Sequence, residues 1–241
     1  MNTTTKPVSQ DPIGQAILDY SKFKKPFDII VSSDLCDDDI IPIEVLFRSY
    51  DEMPEIEKMA LAMTKGKVLD AGAGAGVHAK YLIEKGFAVT CIDSSKGAVD
   101  YLKSQQIQAQ YSTFFSYKPN QKFDTILMLM NGIGIAGKLS QLEKCLRHAW
   151  DLLNEGGQLI CDSSDVKYLY EDEDGSFLID LNSEYYGNFR FQMHYKKITG
   201  PWFDWLYVDY ENLHEVATKI GFVCRRVEET DDHYLAQLLK P

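Results

Sequence analysis

The chain has no apolar run approaching the ~18 residues that a membrane-spanning helix needs, which sets aside a membrane partner. Residues 1–10 are polar and lack the apolar core of a secretory leader, so they read as a disordered tail. Paired cysteine motifs are missing too: Cys36, Cys91, Cys145, Cys161 and Cys224 stand apart, with no C-x-x-C spacing. Neither a disulfide framework nor a zinc site is expected, and the pattern suits a reducing cytoplasm and a protein without a bound metal. Basic residues are the scarcer charge. With 25 Lys and Arg against 36 Asp and Glu, the net charge is −11 and the pI near 4.9. A nucleic-acid binder needs a basic surface to offset phosphate charge, so DNA and RNA are not expected partners. The 241 residues suffice for one α/β domain with a lid, and would be short for two full domains.

What is present is a glycine turn around which the rest is organised. Residues 67–78 read Lys-Val-Leu-Asp-Ala-Gly-Ala-Gly-Ala-Gly-Val-His. Val68 and Leu69 form a short apolar strand, Asp70 ends it, and Gly72, Gly74 and Gly76 free the turn for positive φ and close approach to a ligand. A helix follows from Val77 and closes near Gly86. A second apolar strand, 88–93, ends in Asp93, about 20 residues past the glycines, where a carboxylate reaches ribose hydroxyls. Strand, glycine turn and helix bind nucleotide-like ligands at the carboxyl edge of a parallel sheet. A dinucleotide site wants a third glycine at position 77, which is Val77, and an acid before the glycines repels a pyrophosphate. Asp70 instead suits a ligand with a cationic end, such as an amino-acid ammonium.

An acid followed by G-x-G, with a second acid ending the next strand, resembles motif I of the class I S-adenosylmethionine-dependent methyltransferases. The resemblance implies a Rossmann-like α/β fold: a seven-stranded, mostly parallel sheet with helices on both faces and a terminal antiparallel hairpin. It implies S-adenosyl-L-methionine as cofactor, cradled by Asp70, Ala71, Gly72, Ala73 and Gly74, with Asp93 and Ser94 at the ribose. Thr113 and Phe114 stand where this family contacts the adenine, although Phe114 also reads as ordinary core. Met130 and Asn131 begin the loop that faces the methyl group and the acceptor. That loop reads Asn-Gly-Ile-Gly, without the proline-aromatic tetrad of many nucleic-acid and protein amine methyltransferases, so a small-molecule acceptor is expected. Arg48, in the segment before the core, is a candidate partner for the cofactor carboxylate, because a guanidinium forks onto carboxylates.

The rest of the chain fits the same plan. Residues 11–65 read as an N-terminal helical lid, with helices near 11–22 and 51–63; the run 27–31 and residues 43–50 stay unassigned. Residues 66–241 form the methyltransferase domain. Further core strands lie near 107–111, 123–129 and 158–162, and Ser140 with Glu143 writes a capping box for the helix between the last two. Residues 163–209 depart from a minimal fold: an acidic turn at 171–175, Phe177-Leu178-Ile179, the alternating stretch 188–195 and the aromatic stretch 202–207 predict extra antiparallel strands that continue or cap the sheet. Asp209 caps a helix, and 222–228 with 233–239 make the final hairpin. Methyl transfer from a sulfonium needs mainly positioning and exclusion of water, so no catalytic residue is assigned. His78, His194, Tyr186, Asp204 and Tyr50 are the polar groups to inspect, each with a plain structural reading beside it. A non-catalytic cofactor-binding module and an NAD-dependent oxidoreductase are the alternatives.

Overall fold

The computed structural model describes residues 10–172 and 184–241. The tail at 1–9, the run Phe177-Leu178-Ile179 and the end of the acidic turn at 171–175 fall outside the described residues. A seven-stranded sheet carries the core. Its strands are β3 (Lys67–Ala71), β4 (Ala88–Asp93), β5 (Ala109–Tyr111), β6 (Phe123–Met128), β7 (Leu153–Ser164), β10 (Val223–Thr230) and β11 (His233–Leu239). They lie in the order β10-β11-β7-β6-β3-β4-β5, parallel except where β11 enters between β10 and β7. The order reverses between β3 and β6, and at that switch point the carboxyl ends of the strands open a crevice.

Period-2 alternation sends successive strand residues to opposite faces. Val68, Leu127 and Ile160 pack under α2 (Glu55–Ala62) and α3 (Val77–Glu84), while Leu69, Ile126 and Leu159 pack under α5 (Leu139–Leu152) and α6 (Tyr210–Ile220). The inward stripe of α5 is Leu142, Cys145, Leu146, Ala149 and Leu152; periodicity predicts the first four, but puts Leu153 fifth, and Leu153 is instead the C-cap that opens β7. Ser95, not Ser94, caps α4 (Lys96–Ser104), its side chain accepting from Ala98 N–H.

Two local expectations fail. Ser140 and Glu143 form no capping box, because α5 starts two residues earlier than that box requires, at Leu139, whose N–H donates to Asn188 Oδ1; Glu143 pairs with Arg147 and Lys219 instead. A capping box does form where none was expected, between Ser49 and Glu52. The N-terminal segment is also not purely helical. After α1 (Pro12–Phe23) it contributes β1 (Ile29–Ser33) and β2 (Asp39–Ile41), which join β8 (Asn188–Tyr195) and β9 (Ile198–Leu206) in a separate antiparallel sheet of order β2-β1-β8-β9. The extra strands therefore cap the main sheet rather than extend it, and they do so with partners from the other end of the chain.

The cap and α1 are pinned onto the core at close approaches. Gly14 of α1 lies so near Gly97 of α4 that a Cβ on Gly97 would stand 2.6 Å from the Gly14 backbone, and Asp11 spans the contact by accepting from Ser95 Oγ and Gly97 N–H, both at 2.9 Å. Trp205 of β9 presses on the turn 132–136 after β6. Among the described residues no helix is long and apolar enough to cross a membrane.

Candidate active site

The glycine turn folds as its residues demand. Gly72, Gly74 and Gly76 all take positive φ, and at Gly74 (φ 53°) no atom lies within 4 Å of where a Cβ would stand, so the turn faces open space there. Asp93 organises the turn from the neighbouring strand. Its Oδ2 accepts Gly74 N–H at 2.8 Å and its Oδ1 accepts Ser95 N–H at 2.7 Å, leaving one lone pair on each oxygen. Burial pushes the Asp93 carboxyl up from 3.8 to about 6, against the pull of those two N–H groups.

Asp70 is 2 % exposed, and its Oδ2 has no hydrogen-bond partner among the described residues. Burial raises its pKa, with the nearby His78 opposing. A buried acceptor left unpaired is costly unless something absent from the chain pairs with it.

Arg48, Glu57 and His78 form a buried cluster beside the first turn of α3. Arg48 donates through Nη2 to both Glu57 oxygens at 2.5 Å, and His78 Nε2 meets Glu57 Oε2 at 2.7 Å. Burial alone would raise the Glu57 pKa, but the hydrogen bonds from His78 and Arg48 outweigh it and hold the carboxyl below its ordinary value. Most of the Arg48 fork is thus spent inside the protein: Nη1 goes to the Val45 carbonyl, and Nε alone is buried without a partner among the described residues. Tyr50 stacks on Tyr81 of α3 at 4.1 Å, closing the same seam.

The remaining expected site residues line up along the edge. Ser94 is exposed beside Asp93. Ser112 N–H bonds the Asp93 carbonyl, bringing the end of β5 to the end of β4; next to it Thr113 caps a short turn through Ser116, and Phe114 is buried in the core, edge-on to His148. Met130 (φ 66°) and Asn131 (φ 56°) both sit in the left-handed region that side-chain-bearing residues avoid. Asp162, at the end of β7 and 1 % exposed, stabilises them: it accepts Asn131 N–H at 3.0 Å, Gly132 N–H at 3.4 Å and His233 Nε2 at 2.8 Å. Ser164 Oγ donates to Asn131 Oδ1 at 2.9 Å.

Beyond β7, Tyr186 donates to Asp165 at 2.7 Å, and Tyr185 donates to Asp209, which also caps α6; burial raises both tyrosine pKa values, so these phenols stay protonated donors. Tyr207, on the connection between β9 and α6, is pushed up to about 12 by burial, with Asp39 adding to the effect. His194 and Asp204 lie apart from the edge, in exposed pairs with Thr199 and Arg190 on the cap sheet. Sequence reasoning missed Glu57, Asp162 and His233. The signal for Asp162 was available: it ends an apolar strand just as Asp70 and Asp93 do.

A family profile described as a methyltransferase domain matches residues 68–157. No curated protein matches. Among solved structures, an S-adenosylmethionine-dependent methyltransferase from Bacteroides fragilis, in complex with S-adenosyl-L-homocysteine, is 42% identical over 99% of this chain and 98% of its own, with a TM-score of 0.89. The sugar N-methyltransferase KedS8 from a Streptoalloteichus species shares the fold at 15% identity, covering 82% of this chain and 92% of that one with a TM-score of 0.57. With the first of these likenesses spanning both chains end to end, the nicotinamide alternative falls, and the protein belongs to the S-adenosylmethionine-dependent methyltransferases, with S-adenosylmethionine as its methyl donor.

Proposed function

We propose that the enzyme methylates a small molecule held at the carboxyl edge between the glycine turn and β7. The observation that carries the cofactor half is the unpaired, buried Asp70 Oδ2 beside a turn open at Gly74. An ammonium would satisfy that oxygen, and the spare lone pairs of Asp93 suit a ribose diol. Asp70 to Gly74 then hold the amino-acid end, Asp93 and Ser94 the ribose, the Thr113–Phe114 backbone the base, and Met130 and Asn131 border the methyl. Arg48 has only Nε left for the cofactor carboxylate, since Glu57 and Val45 occupy the rest of its fork. When bound, the cofactor supplies a methyl group on a positively charged sulfur. The protein's own work is to fix the acceptor in line with it and to exclude water.

Three features support a small acceptor. The net charge of −11 disfavours nucleic acid. The turn 132–136 is covered by Trp205 of the cap, so the acceptor side of the crevice is roofed rather than open to a polymer. The N-terminal strands β1 and β2 and the strands β8 and β9 act together as that roof, one pair on each side of the cap sheet, while α2 packs on the main sheet.

The test pairs two measurements. Calorimetry with S-adenosylhomocysteine is expected to show stoichiometric binding. Incubation with methyl-labelled S-adenosylmethionine and a low-molecular-weight cell fraction is expected to label a small product. Label appearing only with the protein or nucleic-acid fraction would overturn the reading, and binding without transfer to any fraction would favour the non-catalytic module.

A further inference from the structure

We infer that His233, oriented by Asp162, is the general base that takes the proton from the acceptor; this rests on the small-molecule reading above. Three observations converge on it. His233 opens β11, in register with Ser164 at the end of β7, so it stands at the same carboxyl edge as the glycine turn although it comes from the far end of the chain. Asp162 is paired with Leu235, which places Asp162 and His233 diagonally on one face of the sheet, and their side chains meet at 2.8 Å. The same Asp162 oxygen that receives His233 Nε2 also receives Asn131 N–H at 3.0 Å. The imidazole is therefore tied through a single oxygen atom to the strained Met130–Asn131 pair that borders the methyl group in the proposed site.

The dyad has the division of labour that base catalysis needs. Asp162 is 1 % exposed, and a carboxylate only accepts hydrogen bonds, so Nε2 carries the proton in the neutral ring and Nδ1 is left with its lone pair. His233 retains 34 % side-chain exposure, so the ring is open on part of its surface. Orphaned polar atoms mark the cofactor half of the edge, whereas both oxygens of Asp162 are engaged, Oδ2 by Asn131 N–H and the imidazole and Oδ1 by Gly132 N–H. Its arrangement orients a neighbour rather than waiting for a ligand.

The acceptor class follows: a protic nucleophile, a hydroxyl or an ammonium, that must lose a proton to attack. As the bond from its oxygen or nitrogen to the methyl carbon forms, the sulfur–methyl bond breaks and its electron pair stays on sulfur. The acceptor's proton moves to Nδ1, giving an imidazolium held by the Asp162 carboxylate, and leaves to water afterwards. No further reactant is needed. His233 is a catalytic residue in this scheme; Asp162 is a positioning residue.

The test uses the whole enzyme with methyl-labelled S-adenosylmethionine and the low-molecular-weight fraction as acceptor source. In His233→Gln the amide can still donate to Asp162 but cannot take a proton. Its S-adenosylhomocysteine affinity and melting temperature are expected to stay near wild type, while transfer falls about a hundredfold or more, the size of a lost general base. In His233→Ala, added imidazole is expected to restore part of the lost rate, which a structural role would not allow. Nitrogen NMR of the wild-type neutral ring is expected to show protonation at Nε2. Transfer by His233→Gln within about threefold of wild type, where base removal should cost far more, overturns the inference, as does the opposite tautomer. A wild-type enzyme that labels nothing in the small-molecule fraction instead sinks the reading beneath it, so the two failures are told apart. Products that are ethers or methylamines separate the hydroxyl from the ammonium acceptor.

Discussion

Asp70 and Asp93, at the ends of β3 and β4, belong to one strand–helix–strand unit, whereas Asn131, Asp162 and His233, at the ends of β6, β7 and β11, are brought together from three separate connections. The first half of the edge holds unfinished hydrogen bonding: Asp70 Oδ2 is orphaned, and each Asp93 oxygen keeps a lone pair. The second half is more fully bonded, with three donors on the Asp162 carboxylate, two of them on one oxygen, and strain stored in two left-handed residues. Open acceptors suit a ligand whose donors the whole family shares. The closely bonded, strained and roofed half is where the proposed acceptor would sit.

The contrast can be broken most sharply at Gly74. Gly74→Val puts a branched side chain at φ 53° into space now empty, so the fold loses only the ~1–2 kcal/mol of the strained backbone while the crevice is filled. S-adenosylhomocysteine affinity is expected to fall by about a hundredfold or more, equal to about 2.7 kcal/mol, in calorimetry of the folded variant. Unchanged affinity would mean that the turn faces solvent and not a ligand.

Glu57→Ala probes the seam that fastens the N-terminal segment to α3. Arg48 and His78 lose a shared buried carboxylate, so urea unfolding is expected to show a loss of about 3 kcal/mol. A loss under about 1 kcal/mol, typical of an exposed pair, would show that the cluster is solvated.

How much of this was legible differs between the halves for a physical reason. The glycine turn, Asp70 and Asp93 are local: strand, positive-φ residues and acid follow each other at fixed spacing, and they landed together. The α5 stripe was equally plain, because periodicity reports burial directly. The failures were mostly non-local, the Ser49–Glu52 capping box being a local signal that was missed. Ser140 and Glu143 spell a capping box, but Asn188, far along the chain, reaches the Leu139 N–H first. The run at β1 shows no alternation and gains its identity as a strand only from β8. His233 follows an acidic turn and looks like any surface histidine until β11 lays it against Asp162. Arg48 reads as a partner for the cofactor carboxylate, and the sequence carries no sign that Glu57 would hold it.

A smaller effect sharpens the comparison through pH. The Asp93 carboxyl of the free protein titrates near 6, raised from 3.8, so its protonated form favours the fold. That contribution is complete below about pH 4 and is lost as pH rises through about 6. A ribose diol donates to the ionised form, so the sign for binding is opposite. S-adenosylhomocysteine affinity is expected to rise about tenfold from pH 5 to pH 7, and to be flat in Asp93→Asn. A flat wild-type profile would detach Asp93 from the ligand.

The smallest effect tests the acceptor half alone. A Cβ at Gly134 would lie 2.3 Å from the Trp205 ring, so Gly134→Ala must push the cap off the turn. Transfer is expected to drop a few-fold, mainly through KM, with cofactor affinity unchanged. A fall in cofactor affinity of the same size would show that the two halves are one.

The cap sheet also sets an order of events. Ile30 finds its partner in His194, across roughly 160 residues of intervening chain, and closing a loop of that length is entropically unfavourable until the core has already drawn its ends together. During synthesis, β1 emerges early and has no strand neighbour but β2 until β8 leaves the ribosome. The roof is thus completed last, by the joining of the chain's first and late segments. A truncation that removed β1 and β2 would leave β8 as a bare edge, ready to pair with another copy of the chain.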